Sequence, residues 1–221
     1  NLSKHTFIAK ISGIDIDDVT SGELTVLSEE NDSKMTVEIV NPACGSVYNV
    51  TDDFNITVNA DDADDVINGT LIINGVLIEN FSNGETIFNY SFVYDGNHQI
   101  VVETVNNRGD IANDFVNVIA IDPAKSGDYV AACIDEPADA SNVGTGAVYF
   151  NAASSKGIRY TASSSNIEIV DLPSSDLRLD WLFSNTLENP YHDGSHVNSY
   201  SFTANFVDAG NNWATLEVSL L

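Results

Sequence analysis

The sequence has few basic residues, few sulfur-containing residues and no long apolar segment. Only eight Lys and Arg stand against 33 Asp and Glu, which gives a formal net charge of −25. Such an excess of negative charge repels phosphate backbones and anionic lipid headgroups, so it argues against nucleic-acid binding and electrostatic docking to membranes. The longest apolar runs are far shorter than the ~20 residues of a membrane-spanning helix. We therefore expect no membrane insertion in this chain, and a signal peptide that has already been removed.

Helix-forming stretches are also scarce. No window of a dozen residues places apolar side chains at i, i+3, i+4 and i+7, whereas apolar and polar residues alternate repeatedly with a period of two. Asn is abundant, with 25 residues, and Gly, Ser and Thr are frequent. These residues favour turns and strand edges. Since 43% of the residues are hydrophobic, enough for a real core, we predict an all-β fold.

Asn-X-Ser/Thr sequons are concentrated in the first part of the chain. All seven lie among the 11 Asn of the first 90 residues and none among the 14 Asn that follow. Chance would place about two in those 11. Random matches in an Asn-rich chain are the alternative, but the clustering favours glycosylation and an extracellular, cell-surface location. The sequons begin at Asn1, Asn31, Asn49, Asn55, Asn68, Asn80 and Asn89.

The chain has two cysteines, Cys44 and Cys133. They belong to no CxxC motif and to no Cys/His spacing typical of zinc. An even pair outside the cell favours a disulfide, which for a loop of this length contributes roughly 4–5 kcal/mol. Two unpaired buried thiols are the alternative.

Turn and strand patterns divide the chain into three parts. Residues 1–40 contain three short strand candidates and an acidic loop at 15–18, but too few apolar groups to fold alone. They either pair with the rest of the chain or act as an assembly strand that completes a neighbouring molecule. Residues 41–122 contain about seven alternating segments with the turn spacing of a β-sandwich, and Asn74-Gly75 predicts a type I′ hairpin. Residues 123–221 begin with a linker and continue as a second turn-rich unit.

Both larger parts resemble known extracellular repeats. The segments at 41–45, 54–58, 71–76 and 94–100 resemble Ig-like repeats of bacterial and archaeal surface proteins. Trp181-Leu182-Phe183, with Leu216 and Val218 in the closing segment, is similar to a PKD-type repeat, although the usual Asp-Gly turn is replaced by residues 184–186. These resemblances imply tandem Ig-like β-sandwich domains preceded by an N-terminal strand segment. The acidic, Ile- and Asn-rich composition resembles that of archaeal envelope proteins.

An acidic loop is the candidate metal site. Residues 41–122 hold 13 acids and a single Lys or Arg, Arg108. Crowded carboxylates are suitable ligands for Ca²⁺, the one cofactor that the sequence suggests, although the spacing matches no EF-hand. A solvated loop that keeps the surface soluble is the alternative. The candidate ligands are Asp61, Asp62, Asp64 and Asp65, with either Asp15, Asp17 and Asp18 or Asp52 and Asp53 as second contributors.

We find no catalytic signature in the sequence. Residues 191–196 gather two His, an Asp and a Ser, but adjacent residues rarely form a catalytic triad, and a plain polar loop is the simpler interpretation. The alternation around Trp181 and Trp213 favours core positions. The better candidates for a sugar-binding surface are Tyr48, Tyr149, Tyr160 and Tyr191.

The sequence thus favours a non-enzymatic extracellular structural or adhesive protein. Its expected role is that of a subunit of a cell-surface filament or surface layer that associates with like subunits. Glycans or other cell-surface proteins are further candidate partners. The alternative is a carbohydrate-binding or spacer module of a secreted hydrolase.

Overall fold

The computed structural model describes residues 4–13, 16–20, 24–27, 35–62, 67–135, 146–162, 167–183, 200–206 and 214–221. Within these residues the chain forms 18 β-strands and one three-residue 3-10 helix at Ser174–Asp176. The predicted all-β fold is confirmed.

The strands are numbered in chain order. The first three are β1 (Lys4–Gly13), β2 (Ile16–Thr20) and β3 (Leu24–Leu27). The next eight form what we call the middle unit: β4 (Thr36–Asn41), β5 (Val47–Asn49), β6 (Phe54–Asp61), β7 (Ile67–Ile73), β8 (Val76–Ser82), β9 (Gly84–Tyr90), β10 (Gly96–Asn106) and β11 (Ile111–Ile121). The last seven form the C-terminal unit: β12 (Gly127–Ala131), β13 (Gly146–Asn151), β14 (Lys156–Ala162), β15 (Ile167–Asp171), β16 (Leu177–Phe183), β17 (Ser201–Phe206) and β18 (Ala214–Leu220).

The middle unit is a two-sheet sandwich. Its sheets have the strand orders β4-β6-β9 and β5-β11-β10-β7-β8, and both contribute to one apolar core. In β6, Phe54, Ile56 and Val58 are buried while Asn55 and Asn59 are exposed, because successive side chains of a strand point to opposite faces. The period-two alternation in the sequence is therefore the pattern of a strand with one face in this core.

The hairpin between β7 and β8 turns at Asn74-Gly75 as predicted. Both residues have positive φ, 50° and 77°, which is the conformation that a type I′ turn requires. The Asn74 side chain also ties the turn to β10, since its Oδ1 accepts a hydrogen bond from the Gln99 N–H at 2.9 Å. Its Nδ2 lies 2.7 Å from Nδ1 of His98, and burial of that imidazole lowers the pKa of His98.

Phe88, Tyr90, Phe92 and Tyr94 alternate with a period of two, a pattern that favours one continuous strand, but the strand ends half-way along them. β9 ends at Tyr90, the partner of Phe54, and the chain then leaves the sheet. Two hydrogen bonds hold the departing segment: the Phe92 carbonyl accepts the Thr51 N–H, and the Tyr94 carbonyl lies 2.9 Å from His98 Nε2. Phe92 consequently turns into the core, whereas Tyr94 is 76% exposed.

A half-buried carboxylate, Asp114, connects the two sheets of this sandwich. It lies on β11, and its Oδ2 accepts the backbone N–H of Ile39 on β4 at 2.7 Å. Burial raises the pKa of Asp114 to about 6, although hydrogen bonds from the Ile39 and Phe115 backbone N–H groups oppose the rise. Nearby Glu38 raises the pKa further through like-charge repulsion.

The raised pKa predicts a pH dependence of stability. Because the folded protein holds this proton more tightly than the unfolded chain, the stabilisation is complete below about pH 4 and is lost as the pH rises through about 6. In the Asp114→Asn variant, the change in the free energy of unfolding with pH should be smaller by roughly 2–3 kcal/mol. Urea denaturation at pH 4 to 8 measures it, with Asp61→Asn at an exposed position as the control for net charge. Equal pH profiles for Asp114→Asn and the wild type would contradict the assignment.

The C-terminal unit has three further sheets around a second core. Their strand orders are β12-β14-β15, β13-β17 and β16-β18-β1-β2. Trp181 is fully buried in this core and meets Phe150 edge to face at a centroid distance of 5.5 Å, as its alternating segment predicts. The side chains of Trp213 and Phe183 lie outside what the structure describes. The sequence did not indicate β14 and β15 as separate strands.

The N-terminal strands join the C-terminal unit rather than standing apart. β1 pairs with β18 in parallel, from Ile8 beside Thr215 to Ile11 beside Val218. β2 pairs antiparallel with β1, and β3 pairs with the first half of β1 and lies against β11 of the middle unit. The prediction of an acidic loop at 15–18 is therefore wrong for residues 16–18, which belong to β2. Backbone pairing with β1 decides the conformation there, whatever the charge of Asp17 and Asp18.

Candidate functional site

Two of the predicted site residues, Cys44 and Cys133, meet at the junction between the two units. Cys44 precedes β5 in the middle unit and Cys133 follows β12 in the C-terminal unit. The structure joins them in a disulfide with an S–S distance of 2.11 Å and Cα atoms 5.9 Å apart. This bond links two parts of the chain that are 89 residues apart in sequence.

An apolar cluster surrounds the disulfide. Its buried members come from β11, β12, the segment just after β12, and β14, and Cys44 and Val47 pack against it from the middle unit. The buried members are Ile119, Ile121, Tyr129, Ala131, Cys133, Ile158 and Tyr160. Since side chains of both units form one cluster, the contact between the units is a continuous core and not a flexible linker alone.

Hydrogen bonds and ion pairs add to the junction. Asn117 Nδ2 of β11 donates to the Ala132 carbonyl at 2.7 Å. At the linker, Lys125 Nζ lies 2.9 Å from an Asp95 oxygen and 3.1 Å from an Asp122 oxygen. The Tyr129 hydroxyl donates to Asp95 Oδ2 at 3.3 Å, and burial together with the Asp95 charge raises the pKa of Tyr129 to about 12. The hydrogen bond from Lys125 lowers the pKa of Asp95.

The two candidate calcium ligands of this loop that the structure describes, Asp61 and Asp62, differ in exposure. Asp61 is exposed at the end of β6, whereas the Asp62 side chain is fully buried. Asp62 Oδ2 accepts a hydrogen bond from Asn106 Nδ2 at 2.9 Å and lies 3.6 Å from Nη2 of Arg108. Asp64 and Asp65 lie outside the described residues.

The turn between β10 and β11 supplies the remainder of that network. Asn106 Nδ2 donates to Asp110 Oδ2 at 2.8 Å, and Arg108 Nε lies 3.3 Å from the same oxygen. Within the described part of the chain, no three His, Cys, Asp or Glu side chains are grouped to hold a metal ion. Calcium binding by the 61–65 loop stays a prediction.

Four of the predicted glycosylation sites stand on exposed strand positions: Asn55, Asn68, Asn80 and Asn89. Asn55 and Asn89 are direct cross-strand partners on β6 and β9, with Asn89 Nδ2 3.4 Å from Asn55 Oδ1. Asn49 is half-buried, and its Nδ2 donates to Asp52 Oδ2 at 2.7 Å. Asn1 and Asn31 lie outside the described residues. The exposed positions have the accessibility that an attached glycan needs.

The aromatic candidates for a sugar-binding surface differ in their exposure. Tyr160 is 1% exposed and donates its hydroxyl to the Pro123 carbonyl, so the prediction of a surface position is wrong for it. Tyr48 stacks on Phe54 at 4.2 Å and is partly buried. Tyr149 is 52% exposed, and residues 191–196, with Tyr191 and the two His, lie outside the described residues.

Sequence reasoning missed two features that the structure brings out. The first is the connection of β4 and β11 by Asp114, which carries no motif. The second is the pairing of β1 with β18. The sequence left open whether the N-terminal strands pair within the chain or with a neighbour. The apolar alternation of residues 6–11 was the available signal for a strand, but it does not name a partner strand.

A known family is similar to the middle unit. Residues 36–102 match the family model described as a bacterial Ig domain. This range runs from β4 into β10, so it covers most of the sandwich, and the predicted Ig-like fold is confirmed. The resemblance of the C-terminal unit to PKD repeats and the archaeal character remain predictions.

Several solved structures are similar to parts of the chain. The fibronectin(III)-like modules of CbhA from Clostridium thermocellum share 23% identity, with a TM-score of 0.34, over 39% of this chain and 98% of theirs. A CARDB domain from Pyrococcus furiosus also shares 23% identity, with a TM-score of 0.28, over 38% of this chain and 94% of its own. The titin domains z1z2, solved in complex with telethonin, share 7% identity over 86% of this chain and 98% of theirs, with a TM-score of 0.33.

None of the curated proteins compared with the chain matches it. Among the described residues, no helix has the length and apolar character needed to cross a membrane.

Proposed function

We propose that this chain is a non-enzymatic structural module of the cell surface, and that it serves as a self-associating subunit of a filament or surface layer. The observation that carries the proposal is the junction: a disulfide and a shared apolar cluster hold two sandwiches to each other. A module that bears load between neighbours needs this rigidity, whereas an enzyme needs a cleft that brings reactive groups together.

The surface chemistry supports an extracellular location. Four exposed sequon Asn residues stand on the middle unit, and a disulfide persists in oxidising compartments such as the cell exterior. The net charge of −25 keeps the protein soluble and repels nucleic acids. The similarity of residues 36–102 to bacterial Ig domains supports the role of a surface module.

Imaging of the natively purified protein tests the proposal. We expect negative-stain micrographs to show regular filaments or sheets, and mass photometry to show a ladder of multiples of the subunit mass. Loss of these assemblies in EDTA would place calcium at the contacts between subunits. Their persistence would show that assembly does not need calcium. Monodisperse monomers at all concentrations would contradict self-association.

A pocket on the C-terminal unit favours the second candidate, a carbohydrate-binding module. It has a volume of about 320 Å³ and is lined by an aromatic ring, Tyr200, and by polar groups that include Ser154 and the Lys156–Asp171 ion pair at 3.0 Å. A ring face beside hydrogen-bonding groups suits a sugar. Saturable binding in a polysaccharide pull-down that Tyr200→Ala abolishes, with Tyr94→Ala on the exposed surface of the middle unit as the control, would favour this candidate over a structural module.

A further inference from the structure

One sheet of the C-terminal unit is completed by a strand from the other end of the chain. β18 pairs with β16 on one side and with β1 on the other. β2 reaches this sheet only through β1. Without β1, the described strands of this sheet would be reduced to the β16–β18 pair, and two paired strands alone are marginally stable in water. The edge of β18 then presents unpaired backbone N–H and C=O groups, which can pair with any suitable strand.

This edge borders the core of the C-terminal unit. Leu216 and Val218 of β18 are fully buried, as is Trp181 of β16, the cross-strand partner of Leu216. In the parallel register, Ala9 of β1 is the partner of Leu216 and Ile11 is the partner of Val218. A strand with apolar residues at alternate positions therefore fits this edge, and the sequence of β1 has this pattern.

Charge makes the same edge selective. Asp180 and Glu217 are cross-strand partners on β16 and β18, and like charges in that relation are destabilising. Arg178 Nε lies 2.8 Å from Asp180 Oδ2 and so offsets one of the two charges. The register of β1 places Lys10 beside Glu217, the second acid. Opposite charges at paired positions stabilise a sheet.

β1 differs in charge from the chain as a whole. It carries two of the eight Lys and Arg residues and no acid, in a chain of net charge −25. Two copies of such an acidic chain repel each other, but β1 is attracted to the acidic surface of either copy. The strand that fits the β18 edge is thus also a segment through which two copies attract each other.

We infer that β1 is exchanged between copies, so that β1 of one copy occupies the β18 edge of the next. This inference rests on the proposed self-association and identifies the contact between neighbouring copies. The exchanged sheet repeats the pairing seen within one chain, so it needs no new interface. Each copy gives one β1 and receives another, which is a head-to-tail relation, and such contacts propagate into filaments when the rotation between copies does not close a ring.

A cysteine trap across the β1–β18 pair tests the exchange. Full-length chains carrying Lys10→Cys are co-expressed with chains carrying Glu217→Cys, and the purified protein is run on a non-reducing gel. A dominant mixed dimer, lost on reduction, is expected because these two positions are partners only across the β1–β18 pair. Pairing Lys10→Cys with Thr203→Cys, at an exposed position on a different sheet, is the control for random contact.

The double variant Lys10→Cys/Glu217→Cys separates this inference from the proposed function. If wild-type copies form assemblies on the micrograph while the double variant forms only a bond within one chain, exchange is wrong and self-association stands. If neither assemblies nor mixed dimers form, both fail. A charge reversal adds a second readout: Lys10→Glu should prevent assembly with wild-type copies, and Glu217→Lys in the partner copy should restore it. Assembly unaffected by Lys10→Glu would overturn the inference.

Discussion

Replacing Cys44 and Cys133 together by Ala is expected to lower the free energy of unfolding by roughly 4–5 kcal/mol. The bond closes a loop across 89 residues, and the unfolded chain gains the conformational freedom that this closure removes. Ala is the suitable replacement because Cys133 is 1% exposed and lies in an apolar cluster, where a hydroxyl would lack a partner. Denaturation in guanidinium chloride, followed by Trp fluorescence, measures the loss.

The wild-type protein with and without a reductant is the matched comparison, since it changes the bond without changing any side chain volume. Reduced wild type and the double Ala variant should unfold at similar denaturant concentrations, both well below the oxidised protein. The two cores, one in each unit, should also unfold in separate steps once the bond is absent, because the cluster around the disulfide, with its hydrogen bonds and ion pairs, buries fewer residues than either core. A change below about 1 kcal/mol would contradict the assigned role of the bond.

Trp181→Ala is expected to destabilise the C-terminal unit by about 3–5 kcal/mol. The indole is 0% exposed and packs against Phe150, so its removal leaves a large cavity and breaks an aromatic pair. Circular dichroism in urea is the measurement, because the substitution removes one of the two fluorescent Trp residues.

Tyr149→Ala is the control for this substitution. Tyr149 precedes Phe150 on β13 and is 52% exposed, so the same truncation there should change the free energy of unfolding by about 0.5 kcal/mol or less. Equal effects of the two substitutions would mean that Trp181 is not a core residue. A loss confined to one unfolding step would show that the two units unfold separately.

The strands of the middle unit were predictable because each buries one face. Phe54, Ile56 and Val58 alternate with polar residues, and Asn74-Gly75 marks the turn of a hairpin. The loop at 91–95 was not predictable in this way. Phe92 and Tyr94 keep the period of the strand before them, yet hydrogen bonds to Thr51 and His98, distant in sequence or across a turn, take the chain out of the sheet.

The surroundings of two carboxylates were likewise not predictable from the sequence. Asp62 belongs to a run of acids that predicts a solvated or calcium-binding loop, but in the fold it is buried against Asn106 and Arg108. Asp114 has no acidic neighbours in sequence beyond Asp110 and carries no motif. Its role follows from the position of β4 over β11, which supplies the Ile39 N–H that it accepts.

The sequence by itself determined the all-β class, the β-sandwich of the middle unit, the net negative charge and the positions of the sequons, because each follows from local periodicity or composition. The tertiary structure alone decided that β1 completes the sheet of β18, that Ile16–Thr20 is a strand, and that β11, β12 and β14 share one cluster at the junction. The physical reason is that backbone groups pair without regard to side-chain identity. A strand's pattern fixes which face is buried, but only the assembled chain fixes which neighbour it meets.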